Sequence, residues 1–239
     1  MPKILAKIFN HKPQLPNYLC NWSEKHKFVY VETPKVACTT IKRVLQRAEA
    51  NGDSTKVPSN VHERVNSPLK RVSDDPEAFE SLFFRKDTFT FCFVRNPFTR
   101  ALSCYLDKMV VNEWERNRLA PTLNLPAYEA PSFKDFLIAI SKQSDEERDI
   151  HWSTQTFLLR PNRIEYSFIG RFETFHSQFE AVCEYLDISE YADLRQTAHA
   201  TNADEKRNKY FGPEEIQLIQ EIYLDDFRNF GYGFLPAVL

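Results

Sequence analysis

Lys27-Phe28-Val29-Tyr30-Val31-Glu32-Thr33-Pro34-Lys35-Val36-Ala37-Cys38-Thr39-Thr40-Ile41-Lys42 is the stretch on which the fold turns. Its first six residues are β-branched and aromatic with charge only at the ends, the composition of a buried strand. Thr33-Pro34-Lys35 breaks that run, and Ile41, Val44, Leu45 and Ala48 then recur at helical spacing. The order is strand, tight turn, helix. The pattern returns at Thr88-Phe89-Thr90-Phe91-Cys92-Phe93-Val94, which Arg95-Asn96-Pro97 ends; Asn96 suits a helix cap and Pro97 the first helical position. Phe98, Ala101, Leu102, Tyr105 and Met109 give the helix that follows its apolar stripe. Near-continuous apolar strands belong to parallel sheets covered on both faces, so the class expected is α/β, with a central parallel sheet flanked by helices.

Outward from these two units the chain alternates polar stretches with further elements. Residues 51 to 80 and 112 to 130 are polar and turn-rich and read as long loops, which in a compact domain are functional or mobile. A helix is expected from Ser132 to Lys142, and a short strand from Ile164 to Gly170. A helix carrying Phe175, Phe179, Val182 and Leu186 follows, and a last one starts at Pro213 and buries Ile216, Ile219, Tyr223 and Phe227. No repeat or boundary divides the 239 residues, which read as a single domain, 1–239.

Composition removes several classes. There are 5 Gly, none before Gly52, so neither G-x-G-x-x-G nor G-x-x-x-x-G-K-[ST] can be written anywhere. With 31 basic and 33 acidic residues the net charge is −2, too small to draw the chain onto nucleic acid or an anionic membrane, and no nucleic-acid partner is expected. Cys20, Cys38, Cys92, Cys104 and Cys183 are odd in number with no C-x-x-C pair, which argues against a disulfide framework and a zinc site and for a reducing compartment. No signal peptide or transmembrane segment is read, and the cytoplasm is the expected location.

Both strand ends lie where an α/β sheet delivers ligands, ahead of a helix N-terminus that attracts an anion. In Pro34-Lys35-Val36-Ala37-Cys38-Thr39-Thr40 the threonines add hydroxyl donors and Lys35 a point charge. A Lys beside an ordinary turn, with the threonines as caps, fits that position as well. Ser103 follows Asn96 by seven residues, about two turns at ~100° per residue, which returns it to the side of Arg95. An Arg with a hydroxyl is a competent phosphate clamp, while a surface Arg and an interior Ser are the plain alternative. Two such sites call for a ligand with phosphates at two places.

These two motifs, with Asp149-Ile150-His151-Trp152 and Phe168-Ile169-Gly170-Arg171-Phe172-Glu173-Thr174 further on, resemble the carbohydrate sulfotransferases of the chondroitin and HNK-1 type. The resemblance runs in order from about residue 27 to the segment Tyr223 to Tyr232. It implies a P-loop-NTPase-like three-layer α/β fold and 3'-phosphoadenosine 5'-phosphosulfate (PAPS) as co-substrate, without a metal. It also implies transfer of a sulfuryl group to a hydroxyl acceptor such as a sugar. Carried over residue by residue, Pro34, Lys35, Val36, Ala37, Cys38, Thr39 and Thr40 would surround the 5'-phosphosulfate, with Lys35 serving the chemistry as well. Arg95 and Ser103 would hold the 3'-phosphate. Lys206, Arg207 and Lys209 close over the nucleotide or form a solvated charge run. Members of the family with a membrane anchor and paired cysteines differ from this chain in both respects.

Transfer to a hydroxyl needs a base, and histidine is the usual one near neutral pH. His62, in Val61-His62-Glu63-Arg64, lies in the interval where related sulfotransferases place theirs; His151 is the competitor. Glu63 and Asp149 are the acids adjacent in sequence that can orient these rings. His11, His26, His176 and His199 have no supporting context. Two other readings stay open from sequence: a non-catalytic PAP- or PAPS-binding module, and an ATP-dependent kinase of P-loop-like fold, which the missing Walker motif disfavours.

Overall fold

The computed structural model describes residues 8, 9, 12, 14–192 and 207–236. Lys206, the Arg207 side chain, His11 and His199 lie outside the described residues; Lys209 is exposed, 5.5 Å from the Tyr210 ring. The described residues pack as two compact units, one of residues up to Val94 together with 158–192, the other of 95–157 together with 207–236. Helices of seven residues or more are α1 (Cys38–Glu49), α2 (Pro76–Phe83), α3 (Pro97–Tyr105), α4 (Glu113–Leu119), α5 (Phe133–Ser141), α6 (Phe175–Tyr185), α7 (Pro213–Ile222) and α8 (Leu224–Phe230). Among the described residues no helix is long and apolar enough to cross a membrane.

The first unit holds a four-stranded sheet in the order β1 (Cys20–Ser23), β2 (Phe28–Val31), β3 (Phe89–Val94), β4 (Phe168–Arg171). Strands β2, β3 and β4 are parallel, as their apolar runs require, but β1 pairs antiparallel with β2. The expected parallel sheet is thus present as β2, β3 and β4, and β1 makes the whole sheet mixed by pairing antiparallel at one edge. The physical reason is the link of four residues between Ser23 and Phe28, long enough for a hairpin and far too short for a parallel crossover.

Alternation along the strands sorts the side chains into two layers. Phe28, Tyr30, Phe91 and Phe93 join Ile41, Val44, Leu45 and Ala48 of α1 and Phe175, Phe179 and Val182 of α6 in one core. Trp22 pairs with Val29 and so points to the opposite face, where its ring meets Phe79 of α2 edge-on at 5.7 Å. Helices thus cover both faces, giving a P-loop-like α/β arrangement. Strand β4 begins later than expected, at Phe168, and Gly170 lies opposite Phe93. A methyl group on Gly170 would come within 2.3 Å of the Phe93 ring, so glycine is needed here for close approach.

Neither polar stretch is wholly loop. Residues 51 to 80 contain a short 3-10 turn at Ser54–Lys56 and end in α2; residues 112 to 130 contain α4. Both helices carried readable starts, Asp75 capping the N–H of Ala78 ahead of Pro76, and Asn112 capping that of Glu115.

In the second unit the stripe of α3 is buried as its spacing predicts. Phe98, Leu102, Tyr105 and, within the π-helical turn at Leu106–Val111, Met109 pack with Phe136, Trp152, Tyr223 and Phe227. The expected last helix is two, α7 and α8, separated at Tyr223, whose hydroxyl donates to the Trp152 carbonyl (3.1 Å). Ile216 is only half-buried.

Candidate functional site

After β2 the chain makes a tight loop into α1. The Val36 N–H donates to the Thr33 carbonyl (3.3 Å), and the Val36 side chain is buried with Ile41 and Val44, which anchors the loop to the core. Lys35 (φ 70°) and Ala37 (φ 51°) are left-handed, a conformation that costs a residue with a Cβ about 1–2 kcal/mol. Strain of this kind is kept where surrounding structure enforces it, typically at ligand sites. No side chain caps α1, so its first N–H groups present the positive end of the helix to the loop. Pro34 and Thr40 are buried, whereas Lys35, Ala37, Cys38 and Thr39 are half-buried. The Thr33 hydroxyl is fully buried and has no hydrogen-bond partner among the described residues. A helix start, a lysine, two further hydroxyls and an orphaned one form a donor set that fits a phosphosulfate.

The acid next to His62 in sequence is not the one that faces its ring. Glu63 accepts from the Asn66 amide (2.5 Å), and the carboxylate at His62 is Glu32, thirty residues earlier at the end of β2. Glu32 Oε1 lies 3.5 Å from His62 Nδ1, while its Oε2 accepts from Lys42 Nζ at 2.7 Å; both members of this ion pair are almost wholly buried. Burial pushes the Glu32 carboxyl upward, but the Lys42 ammonium and the His62 ring more than offset it and hold it below the ordinary carboxylate range. An ionised carboxylate only accepts, so Nδ1 of His62 faces an acceptor, while Nε2 lies 2.9 Å from Thr39 Oγ1.

Thr39, Lys42 and Gln46 lie at i, i+3 and i+7 on α1 and hold this arrangement together. They reach His62, Glu32 and the Val61 carbonyl (2.9 Å) respectively. That polar stripe, opposite the apolar one, is the signal through which sequence could have found Lys42. From the other side Arg64 donates to the Asn21 side chain and the Tyr18 carbonyl. The segment around His62 is therefore tied down on two sides.

Glu32, Cys38 and His62 bring ligand-type atoms within 4.8 Å of one another. Their chemistry fits a cation poorly. Burial and the Glu32 carboxylate push the Cys38 thiol up to about 11, which keeps it protonated at neutral pH, and Lys42 already neutralises Glu32.

In the second unit Arg95, Thr99 and Ser103 fall on one face at intervals of four residues, all buried. Arg95 Nε donates to Thr99 Oγ1 (3.1 Å), a hydroxyl that sequence reasoning missed. The Arg95 backbone is clamped by Gln155, which accepts its N–H (2.8 Å) and donates to its carbonyl (2.9 Å). Asp226, fully buried, accepts in turn from the N–H groups of Gln155 (2.8 Å) and Thr156 (2.7 Å). His151 sits apart from these residues in the contacts it makes: its Nδ1 and its backbone N–H both reach Asp149 Oδ1, at 2.6 and 3.0 Å. Here the adjacent acid is the partner. Burial lowers the His151 pKa, and Asp149 only partly opposes it.

The Sulfotransferase family profile matches residues 20–233. Carbohydrate sulfotransferase 11 of Mus musculus is 27% identical over 234 residues, covering 88% of this chain and 66% of that protein. Carbohydrate sulfotransferase 10 of Homo sapiens is 28% identical over 235 residues, with coverages of 87% and 65%. Carbohydrate sulfotransferase 14 of Homo sapiens is 27% identical over 231 residues, with coverages of 90% and 60%. The chain thus spans less than two thirds of the length of each of these relatives. No solved structure gives a significant match.

Proposed function

Because the chain belongs to the Sulfotransferase family, we propose that it moves a sulfuryl group from PAPS to a hydroxyl, on a carbohydrate, with His62 as base. The observation that carries this reading is the 2.9 Å contact between His62 Nε2 and Thr39, which ties the basic nitrogen to the anion loop. The names of the relatives support a carbohydrate acceptor. PAPS supplies the activated sulfuryl group. Lys35, the α1 N-terminus and the hydroxyl of Thr40 hold the 5'-phosphosulfate, with Pro34, Val36, Ala37, Cys38 and Thr39 contributing backbone and shape.

Lys35 offsets charge gathering on the departing phosphate, the kind of stabilisation that dominates phosphoryl transfer. His62 Nε2 takes the acceptor proton, and Glu32 faces the imidazolium that results. Arg95 and Ser103 hold the 3'-phosphate, with Thr99 fixing the guanidinium. Residues 1–239 are read as one sulfotransferase domain. The cytoplasm suits the five cysteines, none of which forms a disulfide.

Transfer of labelled sulfate from PAPS to a panel of carbohydrates, lipids and small alcohols tests the assignment. Wild type is expected to label a carbohydrate, and Lys35→Ala to lower kcat/KM about 10²–10³-fold. Arg95→Ala is expected to weaken PAP binding about 10–100-fold, the cost of losing a charge-assisted contact. Unchanged activity in both variants would sink the site assignment, and tight PAP binding with no labelled acceptor would make the chain a binding module.

A further inference from the structure

We propose that Glu32 is the positioning residue for His62, a role that rests on the reading of His62 as base. A neutral imidazole has two tautomers, and only one of them leaves Nε2 able to accept a proton on the loop side. Glu32 selects it. Its Oε1 faces Nδ1 at 3.5 Å and, being a carboxylate, tolerates only the N–H there. For this to hold at neutral pH the buried carboxyl must stay ionised, and Lys42 ensures that through the 2.7 Å ion pair on the other oxygen. Lys42 is held in place by α1, and Glu32 by the end of β2, where its own N–H donates to the Leu19 carbonyl (2.9 Å). The chain Lys42, Glu32, His62, Thr39 thus aims one lone pair from rigid elements.

When His62 takes the proton from an acceptor hydroxyl, the acceptor oxygen forms its bond to sulfur and the bond from sulfur to the departing phosphate breaks. The ring becomes a cation, held between a negative oxygen at Nδ1 and the transferred proton at Nε2. Glu32 lowers the energy of that cation as well as fixing the tautomer. The other charged groups near His62 do not share the task. On α1, Lys42 is engaged with Glu32, and the Cys38 thiol stays neutral. On the loop, Lys35 is a cation, and beside the ring Glu63 is engaged with Asn66 and Arg64 with Asn21.

A double-mutant cycle on the full chain tests this, with kcat, KM for PAPS and the pH profile of kcat/KM as readouts. Glu32→Gln is expected to lower kcat about 10–100-fold with KM for PAPS changed less than threefold, and to move the acid limb of the profile to lower pH, since the imidazolium loses its counter-charge. Placed on His62→Ala, Glu32→Gln is expected to cost less than threefold more. A full additive loss in the double variant overturns the positioning role while leaving His62 as base; a fully active His62→Ala overturns the base reading itself. Should Glu32→Gln fail to fold because Lys42 has lost its partner, Glu32→Gln with Lys42→Met removes both buried charges and takes its place in the same cycle. Wild-type kcat and an unmoved acid limb in either folded variant also overturn the proposal.

Discussion

Two histidines, each beside a carboxylate, stand in the two units of this chain, and they are built differently. His62 draws its carboxylate from thirty residues away and its hydroxyl from a third element, and its side chain is 35% exposed. His151 is satisfied by Asp149 two residues earlier, through side chain and backbone alike, and its side chain is 17% exposed. The first arrangement needs the fold to assemble it and leaves one nitrogen directed at the anion loop. The second is a local turn, in which the imidazole braces its own segment. That long-range assembly of a polar cluster, which local structure does not require, is what the proposed role of His62 rests on.

The sharpest way to break this contrast is to truncate both rings. His62→Ala is expected to lower kcat about 10²–10⁴-fold with PAP affinity kept, measured by labelled-sulfate transfer and calorimetric titration. His151→Ala is expected to leave kcat within threefold and to reduce thermal stability by about 1–2 kcal/mol. The reverse pattern would transfer the base to His151. Next in size is the support beneath the first unit: Gly170→Ala forces a methyl group onto Phe93 and is expected to cost about 1–3 kcal/mol in denaturant unfolding, with no equivalent close contact at Gly233.

The smallest effect is in pH dependence, where the two pairs separate by window. His151, depressed below its ordinary 6.5, takes up its proton later in the folded chain than in the unfolded one, so its contribution is present above 6.5 and is lost as pH falls below it. Lys108 and Glu115 also act on this ring, with opposite signs. Glu32 is depressed from 4.5, so its contribution is present above that value and fades only as pH falls further. Unfolding midpoints between pH 6.5 and 5 are expected to flatten in His151→Gln, and those below pH 4.5 in Glu32→Gln. A single common window would mean that the two pairs titrate as one.

Legibility followed the range of the interactions. Strands β2 and β3 and helices α1, α3, α5 and α6 were readable because burial on one face imposes a period that any window of the chain displays. The turn at Thr33-Pro34-Lys35 and the helix start at Asn96-Pro97 were readable because turn and capping chemistry are local. Helices α2 and α4 were hidden by polar composition, although Asp75-Pro76 and Asn112-Glu113 marked their starts. Strand β1 was missed because only two of its four residues are apolar, and its pairing depends on a hairpin. Gln155, which clamps the Arg95 backbone, and Asp226, which accepts from Gln155, lie 60 residues or more from the groups they bond, and no local pattern links them.

The shortage of glycine shows where the boundary falls. By itself the sequence determined that no Walker or Rossmann loop can be written here and pointed to helix donors, hydroxyls and Lys35 as the expected parts of any anion loop, since residue types and short spacings fix those chemistries. It did not determine the shape of that loop. Lys35 and Ala37 adopt the left-handed backbone that glycine usually supplies, because burial of Val36 and the start of α1 hold them there. Nor could it say which acid faces His62. That choice belongs to the tertiary structure, because β2 and α1 bring Glu32 and Lys42 to one point and a buried carboxylate is ionised only where a cation meets it.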